Sequence, residues 1–228
     1  QAAVAFGARR LYVGFDPNVP SGPVPNGRVY PWAVGRGPGR RTLYHALHPH
    51  STGLLPPDPT WARRFPWQSS MVVVSQAEVE VDTIDRALAE AGLVADFAKM
   101  DIEGLELEAL EGSPGLVRSC IGMSLETVYF PVRRGQPTHA DVDLFMQRSG
   151  YMMAVTSPHR HARATLSYSP FPENRGQMVW AQSLWVRDAW AEMETDRAGL
   201  WSRLRTLKML SLLDISGLPD MAREVAVC

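Results

Sequence analysis

Short apolar runs alternate with helix-like repeats along most of the chain. Alternating or continuous apolar residues predict strands at 11–15, 28–35, 71–81, 93–101, 121–130, 151–155 and 176–186. Apolar residues spaced by three and four predict helices at 82–92, 102–112 and 138–150. Strands that alternate with helices favour an α/β domain with a largely parallel sheet.

The end of the chain follows a different pattern. Its apolar residues recur at spacings of three and four, typical of an amphipathic helix: Trp190, Met193, Leu200, Leu204 and Leu207. We expect this helix to pack on its own domain, and a homodimer through the same helix is the alternative. The chain therefore divides into an α/β domain, residues 1–186, and a C-terminal helical extension, residues 187–228.

Composition narrows the class of protein. The 228 residues are 45% hydrophobic and 21% charged with a net charge of -1, which is ordinary for a globular protein. Such a balance predicts no nucleic-acid partner and no membrane partner, and no apolar run is long enough to span a bilayer. Cys120 and Cys228 form no metal motif, so a reduced cytoplasmic protein is the default, with an unsupported disulfide as the alternative.

Two predicted strands end on an acid. Asp16 could accept hydrogen bonds from ribose hydroxyls at a strand end, or it could cap a turn before Pro17. Asp101 and Glu103 flank a strand-to-helix turn and could bind an amine, hold a metal or accept a proton from a hydroxyl. On the residues alone, helix-capping acids are the favoured interpretation of this pair.

The remaining acids and histidines carry weaker signals. Glu106, Glu108 and Glu111 follow on the predicted helix, and we expect them to form a solvated face. The histidines His45, His48 and His50 lie close together, but their spacing matches no common metal template, so we predict no metal site. A second group, His159 and His161, could face a substrate pocket, although solvent is the expected surrounding.

The stretch "KMDIEGLELEALEG", residues 99–112, resembles the central motif of the FkbM family of S-adenosylmethionine-dependent methyltransferases. Three further stretches resemble that family in the right order. They are "VGFDPN" at 13–18, "VDTIDRAL" at 81–88 and "LETVYFPVRRGQPTHADVDLFMQRSGY" at 125–151. The resemblance covers roughly residues 1–156.

The resemblance implies a fold, an activity and a set of residues. The fold would be a Rossmann-like class I methyltransferase sheet, mostly parallel with late antiparallel strands, and the reaction would be O-methylation of a small-molecule or sugar hydroxyl. Carried over by position, the cofactor S-adenosyl-L-methionine would contact Asp16, Pro17 and Asn18 at its ribose and Trp32, Ala33 and Val34 near its adenine. Asp101 would stand beside the sulfonium, and Glu103 would line the acceptor side as the second catalytic residue.

The beginning of the chain departs from the family pattern. Members of the family begin with a strand and a glycine-rich turn that cradles the cofactor, followed by a helix. The first residues here, "QAAVAFGARR", resemble the last turns of that helix. We therefore expect an N-terminally truncated methyltransferase domain, and a non-catalytic remnant or binding module without a complete cofactor site is the alternative.

Overall fold

The computed structural model describes residues 11–19, 22–165, 176–195 and 198–227. Its strands are β1 (Tyr12–Phe15), β2 (Gly22–Val24), β3 (Gly27–Tyr30), β4 (Ala33–Val34), β5 (Gly39–Ala46), β6 (Val73–Asp82), β7 (Phe97–Met100), β8 (Gly122–Val128), β9 (Tyr151–His161) and β10 (Gln177–Arg187). Its helices are α1 (Pro59–Ala62), α2 (Ile84–Ala91), α3 (Glu106–Gly112), α4 (Pro114–Ser119), α5 (His139–Arg148), α6 (Ala189–Glu194), α7 (Arg203–Ile215) and α8 (Pro219–Ala226). Short 3-10 turns lie at Pro49–Ser51, Pro66–Met71 and Ala198–Leu200.

The described strands form three sheets. One has the order β1-β3-β2, a second β4-β6-β5 and a third β7-β8-β10-β9. The pairs β1–β3, β4–β6 and β7–β8 are parallel, and the other four pairs are antiparallel. The chain is thus a mixed α/β protein, as predicted, with parallel and antiparallel pairs in its described sheets. The single Rossmann-like sheet stays a prediction. The late antiparallel strands are confirmed, since β10 pairs antiparallel with both β8 and β9.

One predicted strand is divided between two sheets. Residues 28–35 were predicted as a single strand, but β3 joins the first sheet and β4 joins the second. Pro31 separates the two segments, and proline cannot donate a ladder hydrogen bond. Beyond the break, Trp32 packs against Tyr30 with ring centroids 4.5 Å apart. The aromatic packing and the proline together interrupt the strand.

The main core lies between the third sheet and helices α2 to α5. Met100, Leu125 and Trp185 come from three neighbouring strands and are buried with Leu110 and Met146 from the helices. Side chains of β1 pack against the same cluster, although β1 is not hydrogen-bonded to β7. Apolar burial therefore joins sheets that no backbone ladder connects.

The C-terminal extension packs on its own domain. Met209 and Leu213 of α7 are buried with Val225 of α8 against Ile121 and Val186, at one end of the third sheet. Buried apolar contacts of this kind are the main stabilising contribution of an amphipathic helix. Packing on the domain is therefore the arrangement within the described residues, while the homodimer and the domain boundary at 187 remain predictions.

The single amphipathic helix predicted for this extension is wrong. Asp188 caps α6 and Ser202 caps α7, so the segment begins new helices instead of continuing one. Gly217, at φ 74°, then precedes Pro219 at the start of α8. Most of the residues that suggested the helix are exposed: Trp190, Leu200, Leu204 and Leu207. The buried face of α7 carries Met209 and Leu213, which were not among the residues used to predict the helix.

A buried cation secures the junction between the sheet and the extension. Arg187, at the end of β10, donates hydrogen bonds to the carbonyl oxygens of Val117, Arg118 and Cys120 near the end of α4. Its Nη1 also contacts Glu192 Oε1 at 2.8 Å, and both side chains are almost fully buried. Carbonyl groups at a helix C-terminus favour a cation, so the guanidinium is satisfied where water does not reach.

Candidate functional site

A strained turn follows β7 and leads into α3. Glu103 has a φ of 60° and Gly104 a φ of 99°, both in the left-handed region. A glutamate in this conformation costs about 1–2 kcal/mol. A Cβ atom on Gly104 would lie 2.6 Å from the Gln136 side chain, so glycine is required by conformation and by space. Strain of this kind is commonly found at functional sites.

The acids of this turn do not cap the helix. The N-cap residue of α3 is Leu105, which makes no side-chain cap hydrogen bond. Asp101 contacts Lys99 at 3.2 Å, and Glu103 points to Arg133. The helix-capping interpretation, favoured on the residues alone, is therefore wrong for this pair, because both carboxylates pair with basic side chains instead of helix amides.

A buried arginine holds Glu103. Arg133 is 1% exposed, and its Nη2 donates to Glu103 Oε2 at 2.5 Å and to the Ser51 carbonyl oxygen at 2.7 Å. The backbone amides of Val132 and Arg133 donate to Gln136 Oε1, at 3.0 and 3.1 Å. The loop that follows β8 and the segment near Ser51 thus fix the position of the Glu103 carboxylate.

Asp101 and Glu103 line a cavity of about 510 Å³. We call it the acidic cavity, because Glu106 and Glu126 also line it. Its wall includes two indoles and basic or polar groups: Trp67, Trp180, Arg133, His50, Gln136 and Thr127. A cavity of this size is within the range typical of small-molecule sites.

Burial changes the protonation of these acids. Burial raises the pKa of Glu106 to about 7, and the neighbouring Glu103 and Asp101 add to the rise. It also raises the pKa of Glu126 to about 7, with further contributions from Asp101, Glu103 and Glu106. The pKa of Glu103 is raised by burial against the opposing effect of Arg133. The cavity therefore gathers carboxyl groups that exchange protons near neutral pH.

Two of these acids, Glu106 and Glu126, were not predicted from the sequence to belong to the site. Glu106 was predicted to lie on a solvated face, but it is 4% exposed and accepts a hydrogen bond from the Ile102 amide at 2.9 Å. The prediction holds better for Glu108, which is half-buried, and Glu111, which is exposed; each contacts an arginine. The sequence contains one indication that Glu126 is functional, since it is the single acid among the otherwise apolar or small residues of β8.

The cofactor residues carried over by position lie elsewhere. Asp16, Pro17, Asn18, Trp32, Ala33 and Val34 are not among the residues that line the acidic cavity. Asp16 Oδ1 accepts a hydrogen bond from the Asn18 amide at 2.8 Å, as in the turn interpretation. Trp32 is buried, and its Nε1 has no hydrogen-bond partner among the described residues. Val34 packs in the same core cluster as Met100, and Ala33 in the same cluster as Ile102, so both lie near the turn without lining the cavity. The cofactor roles of these residues stay predictions.

The histidines do not form a metal site in the described part of the chain. No group of three or more His, Cys, Asp or Glu residues there is arranged to hold a metal ion. The rings of His48 and His50 lie 5.1 Å apart, and His50 lines the acidic cavity. His159 and His161 pack against the Trp180 ring, with centroids 5.2 and 4.6 Å away, so they contact a residue of the cavity wall without lining the cavity themselves.

Carboxylates at the ends of parallel strands, above a mixed α/β core, are typical of enzymes that bind a ligand beyond the carboxyl ends of their strands. The family follows from the comparisons. The FkbM methyltransferase domain matches residues 5–153 of the 228, so the chain belongs to the FkbM methyltransferase family, as its motifs predicted. Comparison with curated proteins and with solved structures finds no match. Within the described ranges, no helix has the length and apolar character needed to cross a membrane.

Proposed function

We propose that this chain is an S-adenosyl-L-methionine-dependent O-methyltransferase that acts on a small-molecule or sugar hydroxyl. The observation that carries the proposal is the turn after β7. Within the matched domain, this turn brings Asp101 and Glu103 to the rim of the acidic cavity. Both residues belong to the stretch that resembles the central motif of the family.

The residues present fit such a cofactor. The acidic cavity offers carboxylates to a ligand that carries a positive charge, and the Asp101 side chain is 43% exposed at its rim. Trp32 offers a buried indole N–H that lacks a partner among the described residues, as an adenine nitrogen would require. Asp101 would therefore hold the methionine part, and Trp32 would lie near the adenine.

The chemistry follows from these charges. When bound, S-adenosylmethionine supplies the methyl group and the positive sulfonium from which it is displaced. Asp101 would face that charge before and during transfer, so we expect it to contribute more to binding than to rate. Glu103 would accept the proton of the acceptor hydroxyl as that oxygen bonds to the methyl carbon and the carbon–sulfur bond breaks. The contact with Arg133 keeps the Glu103 carboxylate in one position while the acceptor oxygen, the methyl carbon and the sulfur align.

Calorimetric titration with S-adenosylmethionine tests the cofactor. The wild-type chain should release or absorb heat, and Asp101→Asn should weaken the affinity about tenfold, or about 1.4 kcal/mol, because one opposite charge is lost. Asp96→Asn is the matched control, because Asp96 is an exposed acid next to the same strand and pairs with Lys208. Equal affinities for Asp101→Asn and Asp96→Asn would reject the assignment of Asp101.

Methyl transfer from radiolabelled S-adenosylmethionine to a panel of sugars and small alcohols tests the reaction. Glu103→Gln should lower the rate by about 10²–10⁴-fold while cofactor affinity stays unchanged, since the amide keeps the shape but takes up no proton. If no heat appears at millimolar cofactor, the proposal fails for this chain, and the binding module without a cofactor becomes the better account.

A further inference from the structure

We propose that the acceptor of this methyltransferase carries a positively charged amine, and that Glu126 binds the amine together with the indoles of Trp67 and Trp180. The inference rests on the proposed function, whose substrate class it narrows. The residues concerned lie on β8, on β10 and in the 3-10 turn Pro66–Met71, so they come from other elements than the turn that carries Asp101 and Glu103.

The acidic cavity has more carboxyl groups than cations to balance them. Arg133 is committed to Glu103, and Lys99 contacts Asp101 at 3.2 Å. The Glu126 side chain forms no hydrogen bond or ion pair with any described residue. Lys99 does attract it from a distance, but the opposing effects of burial and of the other acids on its pKa are larger. A ligand that brings its own cation would compensate this carboxylate, whereas a neutral or anionic ligand would not.

Strand geometry puts an aromatic wall beside Glu126. In the β8–β10 ladder Glu126 pairs with Gln182, and Val128 pairs with Trp180. Residues two apart in a strand project to the same face, so the Glu126 carboxylate and the Trp180 indole rise from one side of the sheet. Both line the acidic cavity. A cation held between a carboxylate and an indole gains from both partners.

The second indole completes the wall. Trp67 meets Trp180 edge to face, with centroids 6.3 Å apart and planes at 74°. The centroids of the His161 and Trp180 rings lie 4.6 Å apart, so the Trp180 indole is held in place before any ligand binds. The Trp67 Nε1 atom is buried without a partner among the described residues.

Two probes of matched shape test the charge directly. Choline and 3,3-dimethyl-1-butanol have the same shape and each carries a hydroxyl. Choline has a positively charged nitrogen where 3,3-dimethyl-1-butanol has a neutral carbon. Titration of the full chain, without cofactor, should give choline an affinity at least about tenfold tighter. Glu126→Gln should abolish this preference, and Trp180→Leu should reduce it several-fold. The control Glu80→Gln, an exposed acid on β6, should preserve it.

Equal affinity for the two probes, or no binding of either, would overturn the inference. The same holds if Glu126→Gln keeps the wild-type preference while its circular dichroism shows a folded protein. Repeating the choline titration with saturating S-adenosylhomocysteine separates the amine site from the cofactor. Retained choline binding supports an acceptor site, and displacement would assign the acids to the cofactor instead. If choline preference persists in a chain that binds no cofactor, the proposed reaction fails but the amine site stands.

Discussion

Glu106 should make the folded protein less stable as the pH rises toward neutrality. Its carboxyl group is 4% exposed, and burial raises its pKa from 4.5 to about 7. Below pH 4.5 the group is protonated in both the folded and the unfolded chain. Between pH 4.5 and 7 the unfolded chain loses this proton first, so the free energy of unfolding falls with rising pH. Above pH 7 the group is ionised in both states and the loss is complete.

The size of the effect follows from the two pKa values. Each pH unit between them corresponds to about 1.4 kcal/mol, so Glu106 lowers the stability at pH 8 by about 3 kcal/mol. Glu106→Gln removes the ionisation, and its amide oxygen can still accept the hydrogen bond from the Ile102 amide. The variant should therefore match the wild type at pH 4 and exceed its free energy of unfolding by up to about 3 kcal/mol at pH 8.

Urea unfolding followed by tryptophan fluorescence at pH 4, 6 and 8 measures this difference. The m-value should be the same for both proteins, so that the midpoint alone reports the change. The control Glu80→Gln removes an exposed acid, and its free energy of unfolding should stay within about 0.5 kcal/mol of the wild type in each measurement. A constant difference between Glu106→Gln and the wild type at all three pH values would refute the reasoning, because ionisation of Glu106 would then not be linked to folding.

Three further predictions concern the turn and the C-terminal extension. Gly104→Ala should lower the free energy of unfolding by about 1–3 kcal/mol, measured in urea, because the left-handed backbone and the close neighbour both exclude a Cβ atom. Arg187→Met should lower the free energy of unfolding by about 3–5 kcal/mol, since it removes the guanidinium from a buried ion pair with Glu192. A loss below about 1 kcal/mol would contradict a stabilising role of Arg187 at the junction. Leu213→Ala should lower the free energy of unfolding by about 2–5 kcal/mol, because Leu213 is fully buried. Leu204→Ala, at a 62% exposed position, should change it by less than about 0.5 kcal/mol. Equal losses for the two variants would mean that the face predicted from the apolar spacing is buried after all.

Local signals in the sequence predicted the centre of the molecule well. The apolar run that stops at Asp101 and the glycine at Gly104 marked the end of β7 and the turn into α3, because strand ends and left-handed turns depend on a few adjacent residues. The predicted helix at 138–150 is confirmed as α5, with Thr138 at its N-cap, where the Thr138 amide donates to Asp141 Oδ2 at 2.8 Å. The ordered motifs also identified the family.

Longer-range packing decided what the sequence could not. Glu106 and Glu108 are two residues apart on one short helix, yet one lines the acidic cavity and the other contacts Arg41. The periodicity of α3 was visible, but the side that docks depends on β8 and on the loop that holds Gln136. Glu126 joins the cavity only because β8 lies beside β7.

The same limit applies to the sheets and to the end of the chain. Strand propensity predicted residues 28–35 as one element, but Pro31 interrupts it, and its two parts pair with different strands, β3 with β1 and β4 with β6. Apolar spacing after residue 187 predicted a helix face that the structure leaves largely exposed, because two caps changed the register and buried Met209 and Leu213 instead. Neighbouring residues were enough to predict most strands and helices before residue 187, the turn that carries Asp101 and Glu103, and the family. Tertiary contacts alone decided which acids share a cavity, because burial depends on surfaces brought together from distant parts of the chain.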